Sequence, residues 1–394
     1  MAERVLAPVN PDVLKWARTT LGLSVSVAAT DLDVAESALL DWEGGRAQPS
    51  VPQLRKLADR YKRPIASFFL PSPPVDVRPP KDFRRLDPST TRKPSEELIL
   101  AFRSAELRME AAERLRPELG VGAEQLPLPQ QGESIAALAA RARLFLGITV
   151  EEQTEWKDQY RALAAWVSAL EAKGILVFQA SGVEVGEARG FSLSSEVAPS
   201  IVLNGDDSPR GRLFTLAHEL AHLILRAPGV CDLHDKAASG DDLEVVCNAF
   251  AGELLVPSDA LLSMPLVSRR PPGPWTDLEI STIARHFSVS AEVIVRRLLT
   301  LGLTTLQFYE QKRSSFGLAY EEYRRSLKKS KGGPPFFRRV LRANGHAFTG
   351  LVLSAYDEDL ITGSDVAEYL GARLKHLRDL RQVVGGPVTK DDVE

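Results

Sequence analysis

Phe214-Thr215-Leu216-Ala217-His218-Glu219-Leu220-Ala221-His222 is the stretch whose reading decides the fold. Two histidines at i and i+4 share one face of a helix, so their imidazoles can converge on one ion. The glutamate beside the first histidine is placed to take a proton from a water activated there. Asp206-Asp207-Ser208-Pro209 reads as an N-cap with proline in the first turn, and Ala227-Pro228-Gly229 as a stop. The spacing therefore predicts a helix over 209–226. With six histidines in 394 residues, this five-residue pattern arises by chance in roughly one such chain per hundred. The competing reading is a solvated helix that happens to carry two histidines.

A catalytic zinc needs a third protein ligand and an open position for water. The next helical stretch, predicted over 242–255, offers Glu244 and Asn248, again i and i+4. Glu244 is the candidate ligand and Asn248 the candidate acceptor for the N–H of a liganding histidine. Asp232, His234 and Asp235 in the intervening loop remain alternatives, while Asp241 and Asp242 read as caps. Cys247 has a sulfur that zinc binds well, yet Ala249, Phe250 and Ala251 around it suit a packed structural thiol. Cys231 has no partner spacing and receives no role.

The rest of the chain is ordinary in composition. Apolar residues make up 44% and charged residues 26%, and 49 Lys+Arg against 52 Asp+Glu leave a net charge of -3. That excludes a uniformly basic nucleic-acid coat, though not a local basic patch. Two cysteines exclude a disulfide scaffold or a multi-cysteine zinc ribbon and suit a reducing cytoplasm. Met1-Ala2-Glu3-Arg4 shows no signal-peptide pattern, and no apolar run reaches 18 residues, so neither export nor a membrane partner is expected.

Working outward, 174–178 reads as a buried strand, and 190–194 with 200–203 as a hairpin pair. Helices follow over 276–286 and 290–301. Upstream, helices are expected over 11–21, from Ser24, over 34–43 and from Val51. Pro71, Pro73, Pro74, Pro79, Pro80, Pro88 and Pro94 make 71–94 a linker. A long helix is expected over 95–119, and further helices over 134–146 and 156–173.

The quoted stretch, followed by Glu244-x-x-Cys247-Asn248-Ala249-Phe250-Ala251-Gly252-Glu253-Leu254-Leu255-Val256-Pro257, resembles the ImmA/IrrE family of zinc metallo-endopeptidases. The resemblance implies a zincin-like domain at 130–302, with one zinc ion held by His218, His222 and Glu244 and with Glu219 as general base. Ile201-Val202-Leu203-Asn204 resembles the family's active-site strand, and Cys247 stands where alanine is more usual. For the group that stabilises the tetrahedral intermediate, His234, His286 and Tyr309 are the candidates. The implied substrate is a repressor-like or cognate partner protein, cleaved to control transcription or a stress, phage or toxin–antitoxin response. The alternative is a transcription regulator or antitoxin-like binding protein whose zinc site is structural or rarely used.

Residues 1–70, through Val34, Leu39, Trp42-Glu43-x-Gly45-x-x-x-Pro49-Ser50, Leu54 and Leu57-Ala58, resemble a five-helix XRE-type helix-turn-helix domain, lambda-repressor-like in fold. Such a module sets its third helix in the DNA major groove. Here that helix carries Glu36, Asp41 and Glu43 and no Lys or Arg, which opposes phosphate contact. DNA binding through it is expected to be weak or absent. Contacts could instead come from Lys15, Arg18, Arg46 and Gln48, or from Lys328, Lys329 and Lys331 in the basic, aromatic-rich segment 311–342. The whole chain thus reads as α+β and mostly helical. A connector at 95–129 follows the linker, and a helical domain at 303–394 follows the peptidase domain.

Overall fold

The structure, a computed structural model, describes residues 5–74, 94–225, 240–327, 335–386 and 388–393, with the backbone alone at 240–242 and 323–327. The chain divides into two compact units, and in the described residues the division falls between Ser104 and Ala105. Among the described residues, no helix is long and apolar enough to cross a membrane.

The N-terminal unit holds α1 (Pro11–Thr19), α2 (Val25–Leu32), α3 (Glu36–Glu43), α4 (Val51–Tyr61) and a 3-10 turn at Ile65–Phe69, which is the fifth helix expected from sequence. Ser24 starts α2 by accepting from the Val27 amide at 3.2 Å. Asp33 ends it in the left-handed region at φ 57°, and this short turn delays α3 to Glu36 rather than Val34. Leu14, Leu39, Leu57, Tyr61 and Phe68 fill the core of this unit. At its edge the Arg18 guanidinium grips the Glu43 carboxylate in two parallel bonds of 2.7 and 2.8 Å and also donates to the Leu23 carbonyl at 2.6 Å. Both side chains are under a tenth exposed. Removing one partner strands a buried charge. Glu43→Ala is therefore expected to destabilise the N-terminal unit by about 3–5 kcal/mol, measurable as faster amide exchange across α1–α4 in the full chain; unchanged exchange would contradict it.

The second unit is built around α9. In chain order it comprises the second half of α5 (Glu96–Glu118), then α6 (Ile135–Leu146), α7 (Val150–Glu155), α8 (Gln159–Ala172), β1 (Leu176–Ala180), β2 (Gly190–Leu193), β3 (Ser200–Asn204), α9 (Pro209–Leu225) and α10 (Gly240–Leu255). Beyond these lie α11 (Ser258–Ser263), α12 (Pro265–Ser268), α13 (Asp277–His286), α14 (Ala291–Thr300), α15 (Leu306–Leu327), α16 (Phe336–Asn344), α17 (His346–Asp357), α18 (Gly363–Leu370), α19 (Leu377–Val384) and α20 (Lys390–Val393). The sheet runs β1-β3-β2. β2 and β3 form the expected antiparallel pair, with Phe191 opposite Val202, and β1 joins β3 in parallel, with Phe178 opposite Val202.

Three features fix α9 and α10 in place. Gly190 on β2 lies so close to α9 that a Cβ there would stand 2.5 Å from the Thr215 methyl and 2.6 Å from the Val202 carbonyl. Any side chain at that position would push the helix off the sheet. α10 packs along both α9 and α6. Its C-terminal carbonyls are taken up by Arg143, which donates to the Leu254 carbonyl at 2.7 Å, and by Gln153, which donates to the Leu255 carbonyl at 2.8 Å. Arg143 in turn donates to Gln153 at 2.8 Å. Tyr309 and Val393 join the same core as Leu220 and Phe250.

Candidate metal centre

Every residue of α9 from Arg212 to Ile224 is buried. A helix apolar on all sides belongs inside a core, so His218, Glu219 and His222 are carried inward with it. His218 Nε2 and His222 Nε2 stand 3.1 Å apart. Across from them, on α10, Glu244 sets Oε2 3.2 Å from His218 Nε2 and Oε1 3.1 Å from His222 Nε2. Ligand atoms held at 2.0–2.1 Å in tetrahedral directions lie about 3.4 Å apart, so these spacings fit a single zinc ion. The donor chemistry fits as well, since two imidazoles and one carboxylate are a familiar catalytic zinc set. Lone pairs converging on one point in a buried site repel one another unless a cation or a shared proton lies among them. Burial pushes the Glu244 carboxyl up, but hydrogen bonds and charge from both histidines outweigh it and hold it well below the usual carboxylate range. The Glu244 side chain is 33% exposed, so the site is open on that side while the imidazoles are sealed.

Glu219, next to His218 on α9, is 2% exposed, and its Oε1 has no hydrogen-bond partner among the described residues. A carboxylate oxygen buried without a partner is costly, which fits an atom reserved for a proton from outside the protein.

Asn248 behaves otherwise than the spacing suggested. It is half-buried and, among the described residues, makes no hydrogen bond to either histidine. The atom behind His222 is Cys247 Sγ, 3.6 Å from Nδ1, on a fully buried side chain. Its position three residues after Glu244, on the same helical face, was the signal in the sequence. Cys231, Asp232, His234 and Asp235 lie outside the described residues, as do the side chains of Asp241 and Asp242. Of the candidates for stabilising the intermediate, Tyr309 is buried beneath the Arg296 guanidinium, and His286 is exposed with its ring edge-on to Phe287. Among the described residues neither forms a hydrogen bond to the three converging side chains.

In the N-terminal unit the proposed nucleic-acid contacts divide. Lys15 is exposed. Arg46 is exposed and paired with Asp41 at 2.7 Å. Gln48 accepts from the Val9 amide at 3.0 Å and serves the fold. Arg18 is a correction: held by Glu43 inside the unit, it has no reach to a phosphate. The same pair corrects the charge argument, because Glu43 does not face outward. What α3 presents is Glu36, Ser37 and Leu40. Lys328, Lys329 and Lys331, together with the side chains of Arg324 and Arg325, lie outside the described residues.

Two family models match the chain. The IrrE N-terminal-like domain, Peptidase_M78, matches residues 170–299. That span includes β1 to α13 and nearly all of α14, and with them His218, His222 and Glu244. The chain thus carries a stretch similar to the IrrE N-terminal-like domain. Ahead of the IrrE-like domain, a helix-turn-helix model, HTH_3, matches residues 14–68, and α1–α4 are its helices. A search of curated proteins finds no match.

One divalent ion per chain is expected in the IrrE-like domain. His218→Ala and His222→Ala should each lose it, since two remaining ligands hold zinc weakly. Full metal occupancy in either variant, read by elemental analysis of the purified chain, would refute the ligand set.

Proposed function

We propose that this chain is a zinc-dependent endopeptidase acting on a protein substrate. The observation that carries the reading is the approach of two imidazole Nε2 atoms to each other and of each to one Glu244 oxygen at 3.1–3.2 Å, with the two histidines on the helix that also buries the partnerless Glu219 oxygen. His218, His222 and Glu244 would hold the zinc. When bound, the ion supplies Lewis acidity, making water a better nucleophile and a peptide carbonyl a better electrophile. Glu219 accepts the proton released as water attacks and returns it to the departing amine nitrogen. The buried imidazoles keep bulk water from one side of the reaction, and the partly exposed Glu244 leaves the other side accessible. A repressor-like or cognate partner protein is the substrate class that the attached helix-turn-helix domain supports, because a regulatory head and a protease on one chain link recognition to removal of a regulator.

A purely structural zinc, with the chain acting as a regulator or antitoxin-like partner, is the second reading, and the helix-turn-helix match favours it. It leaves the unpartnered Glu219 oxygen and the open side of the site without a use.

Two outcomes follow. Glu219→Gln keeps the metal and the fold and lowers proteolysis about 100–10,000-fold, the usual cost of losing a general base; comparing proteins cleaved in cells by the wild type and this variant identifies the substrate, and equal cleavage would exclude the assigned role. For the head, Glu36→Ala in the full chain should not weaken binding to duplex DNA at physiological salt, because a carboxylate repels phosphate. A loss of affinity there would mean that α3 reads base edges.

A further inference from the structure

We infer that Cys247 is a positioning residue for the metal site: when His222 gives Nε2 to the ion, the Cys247 sulfur accepts the ring's remaining N–H at Nδ1 and fixes the orientation of the imidazole. The inference rests on the zinc-site reading above and deepens it.

Neutral imidazole carries one ring proton. On Nε2, that proton would block the ligand position; on Nδ1, it leaves the Nε2 lone pair free. Whatever accepts from Nδ1 therefore supports the ring in its metal-binding form. At His222 the neighbour of Nδ1 is Cys247 Sγ at 3.6 Å, within reach of an N–H that donates to sulfur. Cys247 is fully buried beside Phe250 and Ala251. The thiol is the group α10 brings to the back of this ring, since half-buried Asn248 forms no bond to it. Sulfur is large, polarizable and a weak acceptor, so it suits a packed apolar surround where a strong acceptor left unmatched would be costly. The contact has two exclusive directions. Nδ1–H donating to Sγ prepares the ring for metal, whereas S–H donating to Nδ1 puts the ring proton on Nε2. A metal on Nε2 selects the first. Cys247 does not belong to the converging set formed by His218, His222 and Glu244; it approaches His222 at the ring nitrogen that set does not use.

The test uses the full chain as wild type, Cys247→Ala and Cys247→Ser. Zinc affinity is measured by chelator competition, and the His222 Nδ1–H of the zinc-loaded protein by NMR with nitrogen-15-labelled histidine. Expected is a loss of about 10–100-fold in affinity for the alanine variant, the usual cost of removing a ligand's partner, with an upfield shift of the Nδ1–H proton as its hydrogen bond is lost. Serine, which restores an acceptor, should recover most of the affinity and the hydrogen-bonded Nδ1–H resonance. The inference is overturned if alanine matches wild type in both readouts, or if serine is as weak as alanine, which would leave only a volume effect. A wild-type chain that takes up no zinc overturns the zinc-site reading and this inference together, whereas a chain that takes up zinc but whose alanine variant matches wild type in both readouts removes this inference alone.

Discussion

A helix buried on every side cannot afford polar side chains unless something satisfies them. α9 lies in that position, against β2 and β3 on one side and against α8 and α10 on others, and it buries two imidazoles and a carboxylate. The sheet, the glycine at 190 and the Arg143–Gln153 clamp all act on the same outcome, which is the register of α9 against α10. A shift of that register by one residue would carry Glu244 about 100° around its helix and away from both histidines. The convergence is therefore a property of packing. The many apolar contacts around Leu220, Phe250 and Leu254 stabilise the arrangement, and the polar atoms lie where that packing sets them.

Much of this was legible in the sequence because the decisive signals are local. Histidines at i and i+4, a proline in the first turn of α9, Ser24 before α2 and Ser134 before α6 each act within one helical turn. Glu244 could be read because it is itself on a helix with a clear apolar pattern. What escaped was long-range. α7 spans six residues and has too little periodicity to announce itself, yet its Gln153 reaches carbonyls more than a hundred residues away. The parallel pairing of β1 with β3 leaves no turn signature. Asn248 and Cys247 are both plausible behind a histidine by spacing, and only the rotation of α10 decides between i+3 and i+4.

The N-terminal unit teaches the same point about charge. Counted along α3 alone, Glu43 is an unbalanced acid on the helix that would face DNA. In space it is matched by Arg18 from α1, twenty-five residues away, and both leave the surface. The pair thus removes one repulsive and one attractive group from any nucleic-acid face. What remains on α3 is one exposed acid at Glu36, with Ser37 and Leu40, and an Asp41 already engaged by Arg46. The buried pair therefore acts to hold α1 against α3.

The central claim is that nitrogen and oxygen alone hold the ion while the nearby thiol stands behind a ligand. X-ray absorption at the zinc edge on the metal-loaded full chain tests it most directly, because zinc–sulfur bonds of about 2.3 Å separate cleanly from nitrogen and oxygen bonds of about 2.0–2.1 Å. The account predicts a shell of two imidazoles and light oxygen donors with no sulfur. A sulfur contribution at the longer distance would place a cysteine on the metal and contradict it.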